Sequence, residues 1–135
     1  GMSDAAKQRA DDETFLGDYR LRQQREACGE WPRAAVEKGY SELVHSKVPV
    51  LIMTGLWDPV TPPLYGDRVA KGLSNSVHVV VPSGGHGFGG LRGTECIDKL
   101  KTAFIRTADP KGLETSCVGS IRRDGFVLKL PDENR

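Results

Sequence analysis

The sequence predicts an α/β fold built on a parallel βαβα unit, and three observations predict it. A continuous apolar run, Val48-Pro49-Val50-Leu51-Ile52-Met53, ends in Thr54-Gly55. A second β-rich run extends from Val77 to Val81. Each run leads through a loop rich in Pro or Gly into an amphipathic helical pattern, residues 62–73 after the first and 94–108 after the second. Strands that alternate with helices imply parallel pairing through a right-handed crossover.

Each element has its own signal. Residues 1–11 are polar and are expected to fray, with Gly1 read as the scar of tag removal and Met2 as the native start. Residues 12–27 read as a charged helix with Phe15, Leu16 and Tyr19 on one side. Asp11 or Asp12 is placed to cap it, and Gly29 and Pro32 to end it. Segment 33–46 is ambiguous, with a short helix over 34–44 as one option. The run 48–54 has the length and flanks of a strand buried on both faces, and Pro49 is tolerable near its start. In the loop Asp58-Pro59-Val60-Thr61-Pro62-Pro63, Thr61 is placed to cap the next helix. Leu64, Val69 and Leu73 give helix 62–73 its apolar side. A glycine-rich loop over 82–93 surrounds His86, and Thr94 caps a helix whose buried stripe is Ile97, Leu100 and Phe104. Residues 121–130 suggest a hairpin about Asp124-Gly125, a favoured two-residue turn. The expectation is a single domain over 12–135.

Composition narrows the function classes. The 135 residues carry 38% apolar side chains, enough for a core. With 19 basic and 18 acidic side chains the net charge is +1, which offers no electrostatic case for nucleic acid or an anionic membrane. No apolar run approaches the roughly 18 residues of a membrane span. The polar N-terminus does not read as a secretory signal, so the default compartment is the cytoplasm. Cys28, Cys96 and Cys117 lack CxxC spacing and paired histidines, which argues against zinc. An odd count allows one disulfide with a leftover thiol, or three free thiols.

The candidate chemistry lies at the strand ends. In open α/β sheets functional groups gather at the carboxyl ends of the strands. Asp58 follows the first strand and His86 the second, so adjacent parallel strands would bring the two together. A carboxylate that accepts the Nδ1–H of an imidazole fixes its tautomer and leaves Nε2 as a general base. Glycines around His86 let the backbone turn tightly. The alternative is a turn-capping aspartate beside an ordinary loop histidine.

The segment from Val48 to Pro63 resembles the acid-bearing segment of α/β-hydrolases, in the tripeptidyl-aminopeptidase and proline-iminopeptidase branch. The segment His78-Val-Val-Val-Pro-Ser-Gly-Gly-His86-Gly resembles the histidine segment of that branch. Cys28-Gly-Glu-Trp-Pro resembles its Cys-x-x-Trp-Pro element, and the surroundings of Cys96 and Cys117 resemble its C-terminal pattern. The resemblance covers roughly residues 26–120. It implies a partial α/β-hydrolase fold, the C-terminal edge of a longer sheet, with Asp58 as triad acid and His86 as triad base. It implies a Cys96–Cys117 disulfide with Cys28 free. The pattern also requires a serine in Gly-x-Ser-x-Gly ahead of the acid, and this sequence has none.

Other signals are weaker. Gly85-His-Gly87-Phe-Gly89-Gly90 matches G-x-G-x-x-G in form, but Pro82, Ser83 and Gly84 separate it from the strand and further residues from the helix. His45 and His78 have no metal-like partners, and His78 within a strand reads as a packed or surface residue. Trp57 is placed either to wall a substrate cleft or to pack. No cofactor or metal is expected. Two functions stand: the C-terminal portion of a serine hydrolase of peptidase or esterase type, or a non-catalytic binding or structural module. The expected partner is a second copy pairing at an exposed sheet edge, or a separately encoded N-terminal half. A peptide or ester substrate is expected only where the half-site is completed.

Overall fold

The computed structural model describes residues 3–128. They form two compact units, one up to Tyr40 and one from Ser41, where the sequence suggests a single domain. In the first unit α1 spans Asp4–Glu13 and α2 spans Tyr19–Glu30. This corrects both the expected fraying and the single helix over 12–27. The polar stretch of α1 is rich in good helix formers, and the Ser3 hydroxyl caps it by accepting from the Ala6 N–H. Gly17 breaks the continuity with φ +52°, and the Asp11 carboxylate accepts the Asp18 N–H there at 2.8 Å. Gly29 lies inside α2, which ends only at the extended Trp31 before Pro32. Neither helix buries a residue. Segment 33–46 contains no helix.

The second unit carries the predicted core order. Strand β1 (Val50–Gly55) leads to α3 (Pro63–Ala70), β2 (Ser76–Val81), β3 (Leu91–Arg92) and α4 (Glu95–Thr107). A 3-10 turn over Ser116–Ser120 and the short β4 (Arg122–Arg123) follow. β1 and β2 pair in parallel from Val50↔Ser76 to Gly55↔Val81. The alternation of a strand then sorts the side chains. Val79 and Val81 join Ile97 and Leu100 of α4, Val118 and Ile121 in the buried core, with Leu51, Met53 and Val77 packed against it. Ile52, Thr54 and His78 lie on the opposite face, where α3 packs. β1 is only half-buried up to Thr54, where a strand buried on both faces is expected, although α3 packs on one face and Leu51 and Met53 meet the core on the other.

The C-terminal hairpin is corrected. β4 pairs antiparallel with β3, Leu91↔Arg123 and Arg92↔Arg122, and an Arg92–Asp124 ion pair flanks the ladder. Residues 124–128 form no strand, and the rest of the expected hairpin lies outside the described residues. Cys96 and Cys117 form a disulfide, which ties the start of α4 to the 3-10 turn, and Cys28 is free and exposed.

Candidate active site

The site forms at the carboxyl ends of the paired strands β1 and β2, where glycine permits a close approach of the two following loops. A Cβ on Gly55 would stand 2.3 Å from the Gly85 carbonyl oxygen and 2.5 Å from the Gly84 carbonyl carbon. Gly84 in turn meets the Gly55 Cα at 2.9 Å from its own hypothetical Cβ. Backbone bonds lock the two loops together: Leu56 N–H to Val81 O at 3.0 Å and Trp57 N–H to Gly84 O at 2.9 Å. Beyond His86 the chain turns through Gly87 at φ +127°, a conformation that L side chains rarely adopt.

Asp58 and His86 meet there. The His86 Nδ1 lies 3.1 Å from Asp58 Oδ1 and 3.0 Å from Oδ2. Asp58 is 7% exposed, the one buried charged residue among those described. Its oxygens are saturated. Oδ1 accepts the N–H of Val60 at 2.8 Å and of Thr61 at 2.9 Å, and Oδ2 accepts the Thr61 hydroxyl at 2.7 Å. The Thr61 hydroxyl also lies 3.4 Å from His86 Nδ1. Burial pushes the carboxyl pKa up, but the Thr61 hydroxyl and N–H, His86 and the Val60 N–H outweigh it. The result is a carboxyl held well below its usual range, and so a carboxylate at neutral pH.

The imidazole is arranged differently. The His86 side chain is 59% exposed, and no hydrogen bond reaches its Nε2 among the described residues. An ionised Asp58 selects the tautomer with hydrogen on Nδ1, which leaves the Nε2 lone pair directed to solvent. Such a pair can accept a proton from a hydroxyl held at Nε2. The surrounding cleft, about 320 Å³, is lined by Thr54, Thr61, Gly87 and Phe88 among others. Trp57 is 73% exposed beside it.

Two features of the site escape sequence reasoning. Thr61 does not cap α3, whose N-cap is Pro62, but holds the carboxylate. The Asp-x-x-Thr spacing of a carboxylate-capped turn was the available signal. His78 is packed, as one of its two readings has it, yet it holds partners of its own: Asp67 Oδ1 at 2.8 Å and Thr54 Oγ1 at 2.8 Å. Thr94 occupies the N-cap of α4 without a side-chain bond. Among the described residues no cluster of three or more His, Cys, Asp or Glu could hold a metal ion.

The parallel βαβα arrangement is an α/β architecture compatible with part of an α/β-hydrolase fold. The family follows from a family model described as TAP-like protein, which matches residues 13–117, and the chain belongs to that family. No curated protein and no solved structure shows a significant match to the chain.

Proposed function

We propose that this chain supplies the acid and the base of a serine-hydrolase site acting on peptides or esters. Asp58 orients His86, and His86 Nε2 takes the proton of a serine hydroxyl as it attacks an acyl carbon, then returns it to the leaving group. The observation that carries the reading is the asymmetry of the pair: a buried, saturated carboxylate on Nδ1 and an open Nε2. No serine of the sequence lies in Gly-x-Ser-x-Gly, so the nucleophile and its oxyanion donors come from another segment. The open side of β1 is where that segment pairs. Among the described residues β1 bonds to β2 alone, and in a parallel ladder every second residue then leaves its backbone groups unpaired. In the absence of that segment a second copy of the chain closes the same edge as a homodimer.

The test is reconstitution with a serine-bearing α/β-hydrolase segment encoded beside this chain. Aminoacyl anilides and short esters are expected to turn over only in the mixture. His86→Ala is expected to lower kcat by about 10³-fold or more with KM little changed. The chain alone is expected to show neither turnover nor a fluorophosphonate adduct, and either result would overturn the assignment of the nucleophile elsewhere. Failure of the mixture supports the rival reading, a non-catalytic binding module, which the missing elbow serine favours. Light scattering at micromolar concentration checks the edge: the expectation is twice 14.7 kDa, and a monomer that binds no hydrophobic dye counts against it.

A further inference from the structure

A second carboxylate–imidazole–hydroxyl chain crosses the other face of the same two strands. Asp67 on α3 bonds to His78 Nδ1 at 2.8 Å, and His78 Nε2 bonds to Thr54 Oγ1 on β1 at 2.8 Å. The His78 side chain is 9% exposed, and the helix backbone lies directly on it: a Cβ on Gly66 would stand 2.4 Å from Nε2. Both nitrogens are satisfied, so this imidazole has no lone pair to offer a substrate. Its two partners are instead distributed in an informative way. Thr54 immediately precedes Gly55, whose carbonyl accepts the Asp58 N–H at 3.2 Å. Asp67 lies in α3, which begins two residues after Thr61. The two ends of the chain therefore stand on either side of the loop that holds Asp58. α3 has only eight residues and no side-chain cap bond. So short a helix does not persist by itself and depends on what anchors it.

We propose that His78 is a positioning residue for the acid: with Asp67 and Thr54 it forms a clasp across the base of the Asp58 loop, and so sets the turn that presents the carboxylate to His86. The inference rests on the reading of Asp58 and His86 as acid and base. Its test reads their hydrogen bonds and not turnover, so a failed reconstitution and a failed clasp give separate results.

The experiment is NMR on the whole chain, with solvent exchange measured at the Val60 and Thr61 amides and the ¹⁵N spectrum recorded for the His86 ring. Val79 and Leu100 serve as core references. In Asp67→Ala the Val60 and Thr61 amides are expected to exchange about tenfold faster, with the His86 ring signals shifted and the references unchanged. Asp67→Asn keeps an acceptor oxygen and is expected to restore the slow rates. Thr54→Ser is expected to behave as the unmodified chain, and the isosteric Thr54→Val as Asp67→Ala. Unchanged exchange and ring signals in Asp67→Ala overturn the proposal. Equal acceleration at Val79 and Leu100 also overturns it, because the chain would then only stabilise the fold globally. Asp67 is exposed at the surface, so the Asp67 variants decide the matter even where Thr54→Val does not fold.

Discussion

Two Asp–His pairs are held around the same two strands, one in the loops that follow them and one between β2 and α3, and they differ in almost every physical respect. In Asp58–His86 the carboxylate is buried and the imidazole is open. In Asp67–His78 the side-chain exposures are reversed, 9% for the imidazole and 68% for the carboxylate. Among the described residues the first pair leaves a ring nitrogen without a partner, and the second occupies both. The difference teaches that an Asp–His contact by itself says little about chemistry. What distinguishes the two pairs is which partner is desolvated and whether Nε2 is spent on a neighbour.

The largest expected effect tests what the pairs share. Both rest on a sheet whose other face packs on α4, and the disulfide pins α4 through Cys96 to Cys117, a separation of 21 residues. In the chain-entropy account a loop of that length contributes about 3 kcal/mol. Reduction with a mild phosphine is expected to lower the urea midpoint by a corresponding amount and to affect the two pairs equally. Unequal loss, read from the ring signals of His78 and His86, would mean that the core does not support them together.

Glycine substitutions break the symmetry. Gly55→Ala drives a methyl group into the backbone of residues 84 and 85, which cannot rotate away. A cost of about 1–3 kcal/mol is expected, with the His86 ring displaced and His78 undisturbed. Gly66→Ala meets the His78 ring instead. There the gain in helix propensity, about 1 kcal/mol, offsets part of the overpacking. The net loss in chemical denaturation is therefore expected to be smaller, and confined to the clasp.

The mildest effect is titration. The carboxyl of Asp58 is held below its ordinary value by hydrogen bonds that outweigh burial. The unfolded chain therefore binds that proton first as acid is added. The stability that Asp58 contributes is complete above the unfolded pKa of about 4, and is lost as pH falls through the depressed native pKa. Asp58→Asn is expected to remove this part of the acid slope in urea midpoints measured from pH 6 down to pH 2. A slope identical to that of the unmodified chain would refute the account.

The pairs also differ in how far the sequence discloses them. Asp58 and His86 each follow an apolar run by a few residues, so a general rule about strand ends finds them. Asp67 and His78 meet only because α3 packs at Gly66, a close approach that no spacing encodes. The same contrast holds for the fold. β1 and β2 carry continuous apolar or β-rich runs, α3 and α4 carry apolar stripes, and all four appear within a few residues of their expected bounds. α1 has no apolar stripe, so its capped and propensity-driven helix is silent to periodicity. Asp124-Gly125 signals a hairpin locally, but β4 finds its partner in β3, about thirty residues earlier, and Asp124 instead meets Arg92. Thr61 reads as a helix cap because capping and holding a carboxylate ask for the same hydroxyl.

The placement of both pairs in one stretch of chain bears on how the protein folds. Their contacts span 28, 24 and 11 residues, all within a single βαβ unit. Closing a loop of 28 residues costs about 3 kcal/mol of chain entropy beyond a constant, and no more distant segment has to arrive first. Contacts 24 and 28 residues apart are not local, so closing the parallel pair is expected to be a slow step of folding. Gly55 and Val81, paired at the ends of the two strands, are therefore expected to belong to the folding nucleus. Substitutions there would slow refolding, whereas substitutions around β3 and β4 would mainly speed unfolding.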